Sequence, residues 1–204
     1  MKRPLLITDC DEVLLHMVAH FDAWLGEVHD IDFAFESGSF GGAMTLKGSG
    51  ETVGEERVWP LLDQFFREEM HRQTIVPGAV EALGRIGEVA DIVILTNLGD
   101  EEHPWRVEQL AAHGIAHEVV CNRGGKGVPA RKIIERHDAS RAAFVDDLPV
   151  HHASLAKHAP EVHRLHMIAE PRLAAVIPPA EHAHARIDDW PNATRWLLER
   201  LEDK

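Results

Sequence analysis

The chain has 204 residues, 45% of them apolar and 27% charged, as expected of one globular domain or of a domain with an insertion. Its 21 basic and 34 acidic residues give a net charge of −13, which makes nucleic acid a poor candidate for a partner. No apolar stretch is long enough for a membrane span, and two cysteines, Cys10 and Cys121, cannot build a disulfide framework. We therefore expect a cytoplasmic protein without a signal peptide that binds neither nucleic acid nor membrane.

The first predicted strand runs directly into acidic residues. Three apolar residues and a threonine, residues 5–8, are followed by Asp9 and Asp11, two positions apart. Such a short apolar run is typical of a buried strand in a parallel sheet, whose carboxyl end is where ligands bind. Two carboxylates at that position are costly unless a cation or a reacting group uses them. The stretch therefore indicates a functional site.

Residues 16–75 separate this strand from the next α/β signal. Apolar residues at helical spacing predict helices over 16–29 and 58–70, and glycines between residues 30 and 54 predict loops or a loose hairpin. A connection of this length is either disordered or a small module of its own. Its aromatic residues favour a folded, mostly helical cap, in which Trp59, Phe65 and Phe66 belong to the core rather than to a substrate surface.

Strands and helices alternate regularly after Pro77. We predict strands over 91–95, 117–121, 142–145 and 162–167, and helices over 79–87, 104–113, 129–137, 149–158 and 191–202. This alternation is typical of a doubly wound parallel sheet. The predicted fold is therefore α/β, with a Rossmann-like core formed by residues 1–15 and 76–204 and a cap, residues 16–75, inserted after the first strand.

Polar side chains follow three of the predicted strands, and a lysine lies in a glycine-rich loop between them. They are Asp9 and Asp11, then Thr96 and Asn97, then Lys126 in the loop, and finally Asp146 and Asp147. Because the carboxyl ends of parallel strands meet at one edge of a sheet, we expect these residues to converge. Carboxylates gathered there favour a hard divalent cation such as Mg²⁺. A cation, a lysine and a hydroxyl group together form a receptor for a phosphoryl group.

The order of these motifs resembles the haloacid dehalogenase superfamily, in its phosphatase branch. The four family motifs correspond to ITDCDEV, VILTN, KGVP and FVDD in this chain, and the resemblance spans residues 5–167. Two positions depart from the usual pattern: Glu12 stands where the family commonly has glycine, and Gly127 where proline commonly follows the lysine. Neither change removes a reacting group, although Glu12 adds a carboxylate near the hinge of the cap.

The resemblance implies a role for each of these residues. Asp9 would be the nucleophile that forms an aspartyl-phosphate, and Asp11 the general acid and base. Thr96, Asn97 and Lys126 would bind the phosphate, and Lys126 would also offset charge on the nucleophile and in the transition state. Mg²⁺ would be held by the carboxylate of Asp9, the backbone carbonyl of Asp11 and the carboxylate of Asp146, with Asp147 bound directly or through water. The implied activity is Mg²⁺-dependent hydrolysis of a small phosphorylated metabolite.

Three other functions stay open. A 2-haloacid dehalogenase would use the same nucleophile, although that branch generally lacks the second acid because a halide leaves without a proton. A phosphomutase would keep Asp11. A non-catalytic member of the superfamily would bind a metabolite or a protein. The identity of the substrate and the oligomeric state are not predicted.

Structural roles compete with functional ones at several positions. The aspartates could cap helices or turns, and Lys126 could be a surface charge. Adjacent histidines on a helix point in different directions, so we expect His151 and His152 to be solvated rather than metal ligands. Cys10 lies between the two acids, and strand alternation predicts that it packs in the interior.

Overall fold

The computed structural model describes residues 2–35 and 40–202. Gly38, one of the glycines in the predicted loop, lies outside these residues. The strands are β1 (Leu5–Thr8), β2 (Leu15–His16), β3 (Ile31–Phe33), β4 (Met44–Leu46), β5 (Thr74–Ile75), β6 (Asp91–Thr96), β7 (Glu118–Cys121), β8 (Ala142–Asp146), β9 (His163–His166) and β10 (Ala185–Arg186). The helices are α1 (Val18–Val28), α2 (Glu55–Glu68), α3 (Ala79–Gly87), α4 (His103–Ala112), α5 (Gly127–His137), α6 (Pro149–His158), α7 (Pro171–Val176) and α8 (Trp190–Leu201).

Six strands form one sheet in the order β10-β9-β8-β1-β6-β7, and every neighbouring pair is parallel. The chain passes from β1 to β6 and β7 on one side and then crosses to β8 on the other, so the strand order reverses at β1. In open α/β sheets a crevice forms outside the carboxyl ends of the strands at such a reversal. The doubly wound parallel sheet predicted from the sequence is therefore confirmed.

Alternating residues of the central strands face opposite layers of helices. Leu6 of β1 packs with residues of α3 and α8, whereas Leu5 and Ile7 pack with residues of α5 and α6. All three are fully buried. A strand covered on both faces needs apolar side chains at successive positions, which explains the uninterrupted apolar run in β1.

The residues between β2 and β5 form a separate apolar cluster. Helices α1 and α2 and the antiparallel pair β3–β4 surround Phe21, whose ring centroid lies 5.9 Å from that of Trp24 and 5.4 Å from that of Phe65. Leu98 and Leu173, which come from the part of the chain that follows the insertion, complete the cluster. Aromatic rings at these separations add favourable edge and offset contacts to the burial of apolar area.

A short antiparallel pair brings the two ends of this inserted segment together. Leu15 of β2 pairs with Ile75 of β5, and His16 pairs with Thr74. The inserted segment therefore begins and ends at nearly the same place, just after β1 and just before α3. The boundaries at residues 16 and 75 stay a prediction, but the pairing brings together the two positions at which they were placed.

The structure corrects the sequence interpretation at several points outside the four sequence motifs. The strand β10 was not predicted, and its two residues extend the sheet beyond β9. Trp59 is 65% exposed, so it is not a core residue, whereas Phe65 and Phe66 are buried as expected. Cys10 is fully buried, as predicted. Within the described residues, no helix combines the length and apolar character required to cross a membrane.

Candidate active site

Strand register places the first aspartate beside the acidic end of a neighbouring strand. Thr8 pairs with Val145 of β8 on one side and with Ile94 of β6 on the other. Asp9, the next residue, donates its backbone N–H to the carbonyl oxygen of Val145 at 2.8 Å. Asp146 is the residue after Val145 and the last residue of β8. The carboxylates of Asp9 and Asp146 therefore lie at the same central edge of the sheet. The predicted convergence of strand ends therefore occurs here.

Lys126 joins these two carboxylates. Its Nζ lies 2.7 Å from Asp9 Oδ1 and 2.7 Å from Asp146 Oδ2, and both aspartates and the lysine are buried. Lys126 immediately precedes α5, whose first residue, Gly127, lies so close to the backbone of Ser154 on α6 that a Cβ atom would be 2.2 Å from its carbonyl oxygen. Only glycine permits this close approach of the two helices. The packing of α5 on α6 therefore fixes the position of the Lys126 backbone, from which the side chain extends to the two aspartates.

The charged groups of this cluster shift one another's titration. Burial raises the pKa of Asp9 to about 6, against the lowering effect of Lys126, and burial also raises the pKa of Asp146. The pKa of Asp147 is raised well above its usual value by burial and by the two neighbouring carboxylates. Burial alone would lower the pKa of Lys126, but Asp146 and Asp9 raise it above the usual range. The single positive charge of Lys126 does not balance the carboxylates of Asp9, Asp146 and Asp147.

Asp9, Asp146 and Asp147 each offer an oxygen atom, and these three atoms lie within 4.8 Å of one another. Three carboxylate oxygens around one point, with a surplus of negative charge, are the donor set that a hard divalent cation requires. The residues present therefore fit a Mg²⁺ ion. The carboxylate of Asp11 is not part of this group.

Asp11 is held by residues from two different parts of the chain. Arg106 of α4 donates through Nη2 to both of its carboxylate oxygens, at 2.9 and 3.0 Å, and Gln73 donates to Oδ1 at 2.6 Å. Arg106 is fully buried and also contacts the sulfur of Cys10 at 3.2 Å. These contacts fix the carboxylate of Asp11 close to Asp9 in the chain, but outside the group formed by Asp9, Asp146 and Asp147.

The residues at the end of β6 lie near the same edge. Thr96 is buried and its hydroxyl group lies 3.5 Å from Asp11 Oδ2. Asn97 donates to the carbonyl oxygen of Gly124 at 3.0 Å and lies 3.3 Å from the Nε2 atom of His151. Asn97 also lines the cavity described below, so it can reach a bound ligand. Whether these residues bind phosphate stays a prediction.

Glu12, one of the two positions that depart from the family pattern, has an unusual backbone. Glu12 has a φ of 57°, in the left-handed region where glycine is preferred, which explains why glycine is common there. Its Oε1 atom accepts hydrogen bonds from the backbone N–H groups of Met17 and Val18, both at 2.7 Å, and thereby caps the start of α1. Its Oε2 atom has no hydrogen-bond partner in the described part of the chain, and burial raises the pKa of Glu12 to about 7.

The expectation that His151 and His152 are solvated is wrong. Both are buried, because the side of α6 that carries them faces the interior, whereas Pro149 and Val150 at the start of the helix are exposed. His152 Nε2 lies 3.0 Å from the carbonyl oxygen of Asp146, and burial lowers the pKa of this histidine to about 3. Both histidines are thus neutral packing groups rather than surface charges.

A cavity of about 300 Å³ opens directly onto the acidic cluster. Asp9, Asp11, Lys126 and Asp147 form its polar floor. The rest of its wall comes mainly from apolar residues of the inserted segment. A volume of this size is at the lower end of those that hold small-molecule ligands.

Solved structures of the same architecture support the resemblance. No protein-family model matches the chain, and no curated protein is significantly similar to it. A haloacid dehalogenase superfamily hydrolase of subfamily IA from Geobacter sulfurreducens is similar with a TM-score of 0.58 and 18% identity, over 96% of this chain and 97% of that one. YfnB of Bacillus subtilis, described as bound to magnesium, gives 0.66 and 14% over 97% and 99%.

A third structure, a proposed phosphoglycolate phosphatase from Lactobacillus plantarum, gives a TM-score of 0.61 and 13% identity over 96% of this chain and 99% of that one. At these identities the likeness concerns the fold. The fold of this chain is therefore that of the haloacid dehalogenase-like hydrolases.

Two residues of the site were missed from the sequence. Arg106 lies in a helical segment rich in polar residues, and Gln73 lies at the end of the inserted segment, so neither carries a motif. Only the burial of the Arg106 side chain and its contact with Asp11 reveal its role.

Proposed function

We propose that this protein is a Mg²⁺-dependent phosphatase that hydrolyses a small phosphate monoester through an aspartyl-phosphate on Asp9. The observation that carries the proposal is the contact of one buried lysine with two buried aspartates, beside a third, at the floor of a cavity. Surplus buried carboxylates of this kind are expected where charge is used in binding or in chemistry.

Mg²⁺ would be held by the carboxylates of Asp9, Asp146 and Asp147, where it would neutralise the charge of the phosphoryl group and of its surroundings. Lys126 keeps its proton in this environment, because Asp146 and Asp9 raise its pKa. Its contact with Asp9 Oδ1 directs the other oxygen of that carboxylate to act as the nucleophile. The backbone N–H of Cys10, 2.7 Å from Asp9 Oδ1, fixes the same orientation.

The reaction divides into two steps. In the first, an oxygen of Asp9 forms a bond to phosphorus while the bond from phosphorus to the ester oxygen breaks, and Asp11 donates a proton to the departing alcohol. In the second, Asp11 takes a proton from water as the water oxygen attacks phosphorus, which releases inorganic phosphate and restores the Asp9 carboxylate. Arg106 and Gln73 position Asp11 throughout.

The proposal is tested with an aryl phosphate as substrate, with Mg²⁺ or with a chelator. We expect turnover only with Mg²⁺, and a loss of about 10⁴-fold or more in kcat for Asp9→Asn, because removing a covalent nucleophile leaves only binding and electrostatic terms. In Asp11→Asn, transfer of the phosphoryl group from the aryl phosphate to Asp9 should be faster than hydrolysis of the aspartyl-phosphate, because a good leaving group needs no proton. The phosphorylated protein should then accumulate and be detected by intact-protein mass spectrometry.

The control is Asp63→Asn, at an exposed aspartate of α2 outside the cavity, which should keep wild-type activity. Release of halide from a 2-haloacid without metal would instead indicate a dehalogenase. No turnover of any phosphate ester would favour a binding role and overturn the proposal.

A further inference from the structure

The wall of the cavity differs sharply from its floor. Apolar side chains of the inserted segment dominate it, among them Met17, Val18, Phe33, Phe35, Trp59 and Phe66. Leu148, Leu173 and Ile177 continue the apolar surface from the other side. This wall begins where the polar floor around Asp9 ends, so a molecule whose phosphate reaches Asp9 must place the remainder of its structure against apolar side chains.

The described lining residues include no cation that is available to a second anionic group. Lys126 is engaged by Asp9 and Asp146 at 2.7 Å each. His151 is buried, and burial lowers its pKa to about 4, so it is neutral near pH 7. Glu12 and Asp147 line the same cavity and add no positive charge to it.

The polar groups of the wall are equally unsuited to a sugar. Recognition of several hydroxyl groups requires several side-chain donors and acceptors directed into the site, because an unpaired hydroxyl group in an apolar pocket loses its hydrogen bonds to water. Away from the floor, the described lining residues are aliphatic, aromatic or sulfur-containing, apart from Glu12, Asn97 and His151. Asn97 and His151 already contact one another.

We propose, resting on the phosphatase function above, that the substrate is the phosphate monoester of an uncharged apolar alcohol, aliphatic or aromatic, rather than a phosphorylated sugar or carboxylic acid. The occupant of the apolar wall is the leaving group itself, since the wall is continuous with the nucleophile. The water that apolar surface releases on binding would supply the affinity. The single phosphate would be the only charged part of the substrate.

A homologous series of esters measures this directly. Ethyl, butyl and hexyl phosphate carry similar leaving groups and differ only in apolar length. We expect kcat/KM to rise by about fourfold for each buried methylene, because burial of one methylene group contributes this factor to transition-state binding. 2-Phosphoglycolate and glucose 6-phosphate should be poorer substrates than ethyl phosphate. Equal or better turnover of these two compounds would overturn the inference while leaving the phosphatase function intact.

A matched pair of tryptophan variants locates the effect. Trp59 lines the cavity and is largely exposed, so Trp59→Ala should fold normally and lower kcat/KM for hexyl phosphate about tenfold, but that for ethyl phosphate by less than twofold. Trp105 is also exposed, at 46%, but lies on α4 away from this cavity. Trp105→Ala should leave both values unchanged.

The outcomes separate the two proposals. No Mg²⁺-dependent release of phosphate from any ester, short or long, overturns the phosphatase function. Release that does not depend on chain length, or that depends on it equally in wild type and Trp59→Ala, overturns the apolar substrate class alone.

Discussion

The sheet edge and the inserted segment are built from opposite chemistry. At the edge, Asp9, Lys126 and Asp146 are buried charges held within 2.7 Å contacts, so each depends on the others. In the insertion, Phe21, Trp24 and their neighbours form an aromatic cluster held together by shape and apolar area. Buried charges require particular partners, whereas an apolar cluster requires only suitable volume. Under the proposed function, the sheet edge would supply the chemistry and the insertion would select the substrate.

The largest effect on stability is expected from removing the central cation. Lys126→Met leaves Asp9 and Asp146 as buried carboxylates without a counter-charge, which costs about 3–5 kcal/mol when one partner of a buried pair is removed. The free energy of unfolding in urea, measured in a chelator at pH 8, checks this value. The loss should be smaller at pH 5, since protonation of the carboxylates removes the uncompensated charge.

Lys132→Met is the matched control, because Lys132 is an exposed residue of α5, the helix that begins directly after Lys126. It should change the free energy of unfolding by no more than about 0.5 kcal/mol. An equal loss in the two variants would mean that the lysine at the sheet edge has no special partners, and the contrast between the regions would be lost.

The aromatic cluster should respond to lost volume instead of lost charge. Phe21→Ala removes a fully buried ring that contacts Trp24 and Phe65, and we expect a cost of about 3 kcal/mol that is independent of pH. Val28→Ala, at an exposed position of the same helix, should be nearly neutral. Urea unfolding at two pH values checks both points. A pH-dependent cost for Phe21→Ala would contradict a purely apolar role.

The buried histidines of α6 sharpen the comparison through their titration. Burial lowers the pKa of His152 to about 3, so between pH 6.5 and 3 this histidine is protonated in the unfolded chain but neutral in the folded protein. The free energy of unfolding therefore decreases as pH falls below about 6.5. His152→Gln keeps a donor toward the Asp146 carbonyl oxygen. We expect it to reduce the slope of the unfolding free energy between pH 6 and 4 by up to about 1.4 kcal/mol per pH unit. An unchanged slope would show that His152 titrates normally.

The smallest effect is expected at Glu12, between the sheet edge and the inserted segment. Glu12→Gly and Glu12→Ala both remove the side-chain cap of α1, but only glycine is at ease at a φ of 57°. Glu12→Gly should therefore be more stable than Glu12→Ala by about 1 kcal/mol. Urea unfolding of the two variants provides the measurement. Equal stabilities would mean that the backbone at residue 12 relaxes when the cap is lost.

Most of the sheet edge could be predicted, and the physical reason is the regularity of parallel strands. An apolar run ending in acids marks a strand end, and parallel strands align their carboxyl ends at one edge, so Asp9, Thr96 and Asp146 had to meet. The register recorded between β1, β6 and β8 is the outcome. The roles of these residues in catalysis stay predictions.

The buried polar residues that sequence reasoning missed or placed at the surface have one physical reason in common. Arg106, His151 and His152 are polar residues on helices, and their burial depends on which way each helix rotates against the sheet. Hydrophobic periodicity does not mark a polar side chain that finds its partners on another element. The prediction that Trp59 is a core residue was wrong in the opposite sense, since the side chain is exposed. An aromatic residue on an amphipathic helix can line a cavity as readily as a core.

The amino-acid sequence by itself determined the order of the five longer strands of the sheet and of the helices between them, the inserted segment and the acidic strand ends, since these depend on local periodicity and on chain direction. Only the tertiary structure decided that Arg106 and Gln73 hold Asp11, that Glu12 caps α1 and that an apolar wall faces the acidic floor. Those contacts join residues far apart in the chain, and no local pattern specifies which distant side chains will share a buried space.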